Sequence, residues 1–178
     1  MRFYLLLVLT VLLCFCLYPL ARASLYPLEH EDVILACGAE FDVPPSLICA
    51  VVRQESHFRT DAKSSAGALG LMQLTESTFR ELSAQLGIAP GEDIMSPYHN
   101  LRCGSYYLHV LYERYGCWET ALAAYNAGLG NVDRWLADAH YSLDGQTLHT
   151  IPYPETAAYV RDTIAIKENY YKIYKLGS

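Results

Sequence analysis

Ser46-Leu47-Ile48-Cys49-Ala50-Val51-Val52-Arg53-Gln54-Glu55-Ser56 is the stretch on which the reading of this chain turns. Ile48, Val51, Val52 and Glu55 stand at i, i+3, i+4 and i+7, which is one face of a helix. The apolar part of that face must point inward, and Glu55 continues it. A carboxyl group there loses hydration, so the protonated form is favoured and the pKa rises. A glutamic acid that keeps its proton near neutrality is what general acid catalysis at a glycosidic oxygen requires. Taken alone, the pattern has a plainer reading. Glu55 is then a helix-end residue, exposed or paired with Arg53 or Arg59, since most glutamates are exposed.

Outward from this stretch the chain reads as helices joined by short loops. Glu29 to Ala39 is helical and ends near Gly38, and Val43-Pro44-Pro45 then breaks the chain. Ser46, with Pro45 before it, is expected to cap the central helix. Residues 57–70 form a loop rich in Ser, Ala and Gly. A helix begins near Thr75, with Thr78-Phe79-Arg80-Glu81 fitting a capping box, and stops at Gly87. Asn100 is expected to cap a helix from Leu101 to Tyr115, ending at Gly116. Glu119 to Tyr125, Val132 to Ala139 and Glu155 to Tyr174 complete the helices, with a polar loop over 140–153. No stretch alternates with period two as a half-buried strand does. The expectation is one all-α domain, with a small hairpin near 140–150 as the alternative.

The chain has 178 residues, enough for one domain with a core. Its first residues explain part of a 52% hydrophobic content. Arg2 precedes an uncharged apolar run from Phe3 to Leu20, and Ala21-Arg22-Ala23 places small residues where a signal peptidase reads them. Residues 1–23 are therefore expected to be an export signal cut after Ala23, leaving 24–178 as the working domain. The alternative is an uncleaved anchor, since residues 3–20 could just span a bilayer, and they are the one expected route to membrane attachment. The residues before Cys14 and Cys16 are too large for a lipid-attachment signal. Cutting after Ala23 removes Arg2 and Arg22 and no acid, which moves the net charge from −6 to −8. An acidic domain without a run of Lys or Arg has no electrostatic reason to bind nucleic acid.

Four cysteines remain: Cys37, Cys49, Cys103 and Cys117. Cys103 and Cys117 bracket a helix that holds them about 20 Å apart, whereas bridged Cα atoms lie within about 7 Å. Cys37 and Cys49 face each other across a helix–turn–helix and are either a disulfide or two small buried thiols. No CxxC or His/Cys cluster is present, so a zinc site is not expected; no cofactor is expected either.

Two uncharged stretches suit a sugar ligand. Ser64-Ser65-Ala66-Gly67-Ala68-Leu69-Gly70-Leu71-Met72-Gln73 is small enough for backbone to approach a ligand closely. Ala123-Ala124-Tyr125-Asn126-Ala127-Gly128 brings an aromatic ring and an amide to a helix end. Tyrosine, with fifteen copies, pairs an apolar ring with a hydroxyl, as a sugar ring pairs its faces with its edges.

Five segments in order carry a resemblance: Glu55-Ser56-x-Phe58, Ser65-x-Gly67-Ala68-x-Gly70-Leu71-Met72-Gln73-Leu74, Asn100-x-x-x-Gly104, Ala124-Tyr125-Asn126-Ala127-Gly128 and Ile151-Pro152-Tyr153-Pro154-Glu155-Thr156-x-x-Tyr159-Val160. Over about residues 30–175 the chain resembles the catalytic domain of the soluble lytic transglycosylases, bacterial peptidoglycan enzymes with a lysozyme-like fold. It departs from that pattern at Thr75-Glu76, where Met-Pro is usual, at Leu129 for a proline, and at Ala157 for an arginine. The resemblance implies cleavage of the β-1,4 bond between N-acetylmuramic acid and N-acetylglucosamine, with closure of a 1,6-anhydro ring. Glu55 would serve as acid and then base. Met72, Gln73, Ala124, Tyr125 and Asn126 would line the sugar subsites, with Ser64 and Ser65 supporting Glu55 or the substrate's acetamido group. Glu155 would lie near the Tyr125 hydroxyl. An ordinary glycosidase uses two carboxylates, and here only Glu55 falls within a motif as an acid. Asp61 is the nearest second candidate, read as a solvated turn residue. The rival expectations are a hydrolytic muramidase on the same fold, resembling goose-type lysozymes, and a non-catalytic wall-binding module.

Overall fold

The computed structural model describes residues 24–177, so the expected export signal over 1–23 lies outside the described residues. The regular structure consists of α1 (Glu31–Phe41), α2 (Pro45–Ser56), α3 (Glu76–Gln85), α4 (Pro97–Tyr115), α5 (Trp118–Ala127), α6 (Leu129–Leu136) and α7 (Pro154–Tyr174). No strand occurs among the described residues. The loop after α2 holds only two isolated bridges, Lys63 with Leu69 and Leu69 with Leu74. The all-α expectation therefore stands.

The central helix is α2. Leu47 through Val52 have no exposed surface at all, so this helix is enclosed on every side, and the apolar stripe seen in the sequence is only part of what it buries. Its most extensive partner is α7, and α1, α4, α5 and α6 complete one continuous core around it. A small satellite core of Leu74, Phe79, Leu82 and Cys103 joins α3 to the flank of α4.

Three helix caps differ from the sequence reading. Ser46 does not cap α2, which begins at Pro45; its hydroxyl donates instead to the Gly177 carbonyl at 2.7 Å, tying α2 to the chain's end. Proline suits that first position because its missing N–H is an orphan there anyway. α3 starts near Thr75 as expected, but Thr75 itself is the cap: its Oγ1 accepts from Thr78 N at 3.2 Å, so the Thr78–Glu81 capping box lies inside the first turn and does not cap it. α4 begins at Pro97, and Asn100 lies inside it, fully buried. A buried Asn in a helix needs partners for its amide. Those partners lie in distant loops, which a capping rule cannot supply.

Residues 140–150 form no hairpin. Asp144 organises them as a loop: its Oδ1 accepts from the backbone N–H groups of Gln146 and Thr147 and from Ser142 Oγ, and its Oδ2 from Thr147 Oγ1. These bonds stabilise the ionised carboxyl and hold its pKa well below the usual carboxylate range. Cys37 and Cys49 are free buried thiols, pushed up to about 11 and about 12 chiefly by burial.

Candidate functional site: a shielded acid beside a groove

Glu55 sits in the last turn of α2 and is half-buried. The burial reaches it because α7 passes over the end of α2. From α7 the Tyr159 hydroxyl donates to Glu55 Oε1 at 2.7 Å. Burial raises the Glu55 pKa to about 7, and the Tyr159 bond, which favours the charged form, partly offsets that. Neither cause is a second carboxylate. The shielding expected from the helix pattern is present, and its source is a helix more than 100 residues away in the chain.

Tyr125, at the end of α5, is the next ring in the cluster. Burial, with the neighbouring Glu55 charge, pushes the pKa values of both Tyr125 and Tyr159 well above the usual phenol range. Both phenols therefore stay protonated and can donate hydrogen bonds here. Tyr125 donates to the Met72 carbonyl at 2.7 Å, so its hydroxyl is engaged by the loop rather than by Glu155. Glu155 is exposed in the first turn of α7.

The loop from 57 to 75 is held in place by Asn100. Its Oδ1 accepts from Met72 N at 2.7 Å, and its Nδ2 donates to the carbonyls of Leu69 at 3.0 Å and Ile94 at 2.9 Å. A Cβ at Gly70 would strike the Asn100 amide, and one at Gly104 would strike the Met72 side chain. The Asn100-x-x-x-Gly104 spacing thus presents one turn of α4, an amide below and a bare backbone above, as the seat of Met72. Met72 itself is fully buried, as is Ala124. They shape the wall from behind.

Beside this assembly runs a groove of about 300 Å³, lined by Gln73, Leu74, Thr75, Thr78, Tyr107, Tyr125 and the Asn126–Gly128 turn. Glu55 is not among its lining residues and adjoins it through Tyr125. Gln73 has positive φ, at 48°, and both donors of its amide are engaged by the Ala62 and Gly70 carbonyls. Only its oxygen is left for a ligand. Asn126 is exposed, and its Oδ1 accepts from Thr156 Oγ1 at 2.7 Å, which ties the end of α5 to the start of α7. Ser64 and Ser65 are exposed on the loop; the Ser64 hydroxyl accepts from Ala68 N at 3.0 Å. Asp61 is exposed as well. A larger hollow of about 360 Å³ lies elsewhere, against α3 and residues 88–94, and includes none of the residues around Glu55.

Sequence reasoning assigned no role to Tyr159, although it quoted the residue within a motif. It missed Tyr107 and Thr78 in the groove wall and took Asn100 for a cap. One signal was available for Asn100: a buried-type helix with a polar residue four before a glycine.

Fold and site together define an all-helical domain built round one shielded carboxyl at the edge of a polar groove. The chain belongs to the transglycosylase SLT domain family, whose model matches residues 32–146. It is similar to the soluble lytic murein transglycosylase of Escherichia coli K12, at 32% identity over 155 residues, covering 84% of this chain and 24% of the relative. The corresponding protein of Salmonella typhimurium is 33% identical over 151 residues, with 82% and 23% covered. Among solved structures, an inactive glutamate-to-glutamine mutant of the lytic transglycosylase Slt from Pseudomonas aeruginosa superposes with a TM-score of 0.75 at 30% identity, over 86% of this chain and 25% of that one. The 70 kDa soluble lytic transglycosylase of Escherichia coli gives 0.72 at 29%, over 85% and 25%. The chain thus spans about a quarter of the length of the relatives it matches.

Proposed function

We propose that this chain is a peptidoglycan lytic transglycosylase that cleaves the bond between N-acetylmuramic acid and N-acetylglucosamine and leaves a 1,6-anhydro end. The observation that carries the reading is Glu55: a carboxyl held near neutrality by burial, oriented by Tyr159, and with no carboxylate partner among the described residues. One such group can give its proton to the bridging oxygen as that bond breaks. Its carboxylate can then take the proton of the muramoyl C6 hydroxyl as that oxygen closes on C1. Proton and ring closure balance with no water consumed. A hydrolase of the usual two-carboxylate kind needs a second acid placed across the bond, and Asp61, exposed on the loop, is the residue to suspect if water is the acceptor. The inactivity of a glutamate-to-glutamine mutant in the Pseudomonas relative fits an essential glutamate.

Ser64, Ser65, Met72, Gln73, Ala124, Tyr125, Asn126 and Glu155 are proposed to contact or shape the glycan site, with the Gln73 oxygen and the Tyr125 ring nearest to that task. The proposed setting is the cell envelope, reached through the signal over residues 1–23. The decisive experiment is mass analysis of digested, purified peptidoglycan. Anhydro ends lie one water below reducing ends in mass. A digest of reducing ends would make the protein a muramidase; no digestion, with Glu55→Gln and parent alike, would leave a wall-binding module.

A further inference from the structure

Residues Leu25 to Leu28 belong to no motif, yet they dock against both helices that carry Glu55 and Tyr159. Three successive carbonyls of this strap accept hydrogen bonds. Leu25 O takes one from Arg53 Nε of α2 at 2.7 Å. From α7, Tyr26 O takes one from the Tyr174 hydroxyl at 2.6 Å, and Pro27 O one from the Tyr170 hydroxyl at 2.7 Å. The Tyr26 hydroxyl accepts from Asn169 Nδ2 at 2.7 Å. The Tyr26 ring lies under the Arg53 guanidinium at 4.7 Å and edge-on to the Tyr170 ring at 5.5 Å. Tyr170 in turn meets the Phe58 ring at 6.4 Å.

Arg53 stands two residues before Glu55 and Phe58 three after it, so the strap braces both sides of the turn that ends α2. That turn needs bracing. His57 and Phe58 both have positive φ, at 53° and 63°, a conformation that is costly for residues with side chains and persists where the surroundings hold it. If the turn relaxes, the Glu55 carboxyl is free to swing from beneath α7 into water.

We propose that the Leu25–Leu28 strap is a positioning element for Glu55, acting through Arg53, Tyr170 and Phe58. It touches no groove residue and adds no chemistry; it keeps the acid shielded. The inference rests on Glu55 being the working acid. The titratable groups that face Glu55 are Tyr159 of α7 and Tyr125 of α5, and neither belongs to the strap.

The test compares Tyr26→Ala, Tyr26→Phe and the parent, each as the whole chain. Glu55 is followed by carboxyl carbon NMR titration, its signal identified by its loss in Glu55→Gln. In Tyr26→Ala the Glu55 midpoint is expected to fall from about 7 by about one unit as hydration returns. On soluble glycan chains kcat is expected to fall about ten-fold with KM unchanged. Tyr26→Phe keeps the ring and the carbonyl contacts and is expected to restore most of both. A folded Tyr26→Ala with the parent's titration and kcat overturns the proposal. Should Tyr26→Ala not fold, Arg53→Gln breaks one strap bond and the ring contact, and an unmoved Glu55 midpoint there overturns it equally. The titration needs no turnover, so a parent that cuts no glycan refutes the enzymatic reading while the strap is still decided by NMR.

Discussion

At the residue scale, the chemistry rests on a carboxyl whose proton is held more tightly in the folded than in the unfolded chain. Its folded pKa of about 7 lies above the ordinary 4.5. Between those two values the unfolded chain has released the proton and the native one has not. Stability therefore falls as pH rises from about 4.5 to about 7 and is level above that. Glu55→Gln is isosteric and cannot ionise, so it is expected to melt with the parent at pH 4 and above it at pH 8. The gain is on the order of 1–3 kcal/mol, measurable by thermal melts at the two pH values. The same variant is expected to leave purified wall material undigested. Tyr159→Phe removes the one bond that favours the charged form, so the Glu55 pKa should rise further. The alkaline limb of the pH–rate profile is then expected to move up by about one unit, with a lower maximal rate because the carboxyl is no longer oriented. An alkaline limb that moves down would assign Tyr159 the opposite role.

At the scale of elements, Asn100 of α4 is the side chain that ties the 57–75 loop to α4 by hydrogen bonds. Asn100→Ala removes the partner of Met72 N and of the Ile94 carbonyl and one of the two donors to the Leu69 carbonyl, and is expected to cost about 2–4 kcal/mol by chemical denaturation. Gly104→Ala pushes a methyl into the Met72 side chain and is expected to cost about 1–3 kcal/mol while lowering activity through the displaced loop. Each element was visible in the sequence to within a few residues, because hydrophobic periodicity reports which face is buried. The ends were less visible. Thr75 and not Thr78 caps α3, and Ser46 serves the chain terminus and not its own helix. A hydroxyl can satisfy a local N–H or a distant carbonyl, and its sequence neighbours do not say which. The hairpin alternative at 140–150 gave way to a loop knotted by Asp144 for the same reason.

At the scale of the whole molecule, α1, α2, α4, α5, α6 and α7 share one core, whereas α3 is attached through four buried residues of its own cluster. Hydrogen exchange is expected to show α3 and residues 86–96 opening well before α2 and α7, which should exchange only on global unfolding. Equal protection of α3 and α2 would contradict this division. The groove lies between those two parts, with Thr75 and Thr78 on the lightly held side and Tyr125 on the firm side. No described helix is long and apolar enough to cross a membrane.

What the amino-acid order determined by itself was local and periodic. It marked a helix whose apolar face ends in an acid, two small uncharged stretches, and five segments whose order and spacing point to a lytic transglycosylase-like domain. What only the tertiary structure decided was which groups meet. Tyr159 reaches Glu55 across 104 positions, Asn100 reaches Met72 across 28, and the strap at Tyr26 closes on Asn169 across 143. Periodicity tells how a segment divides its surface between core and solvent. It carries no term for the partner that covers that surface, and the pKa of a carboxyl depends on that cover.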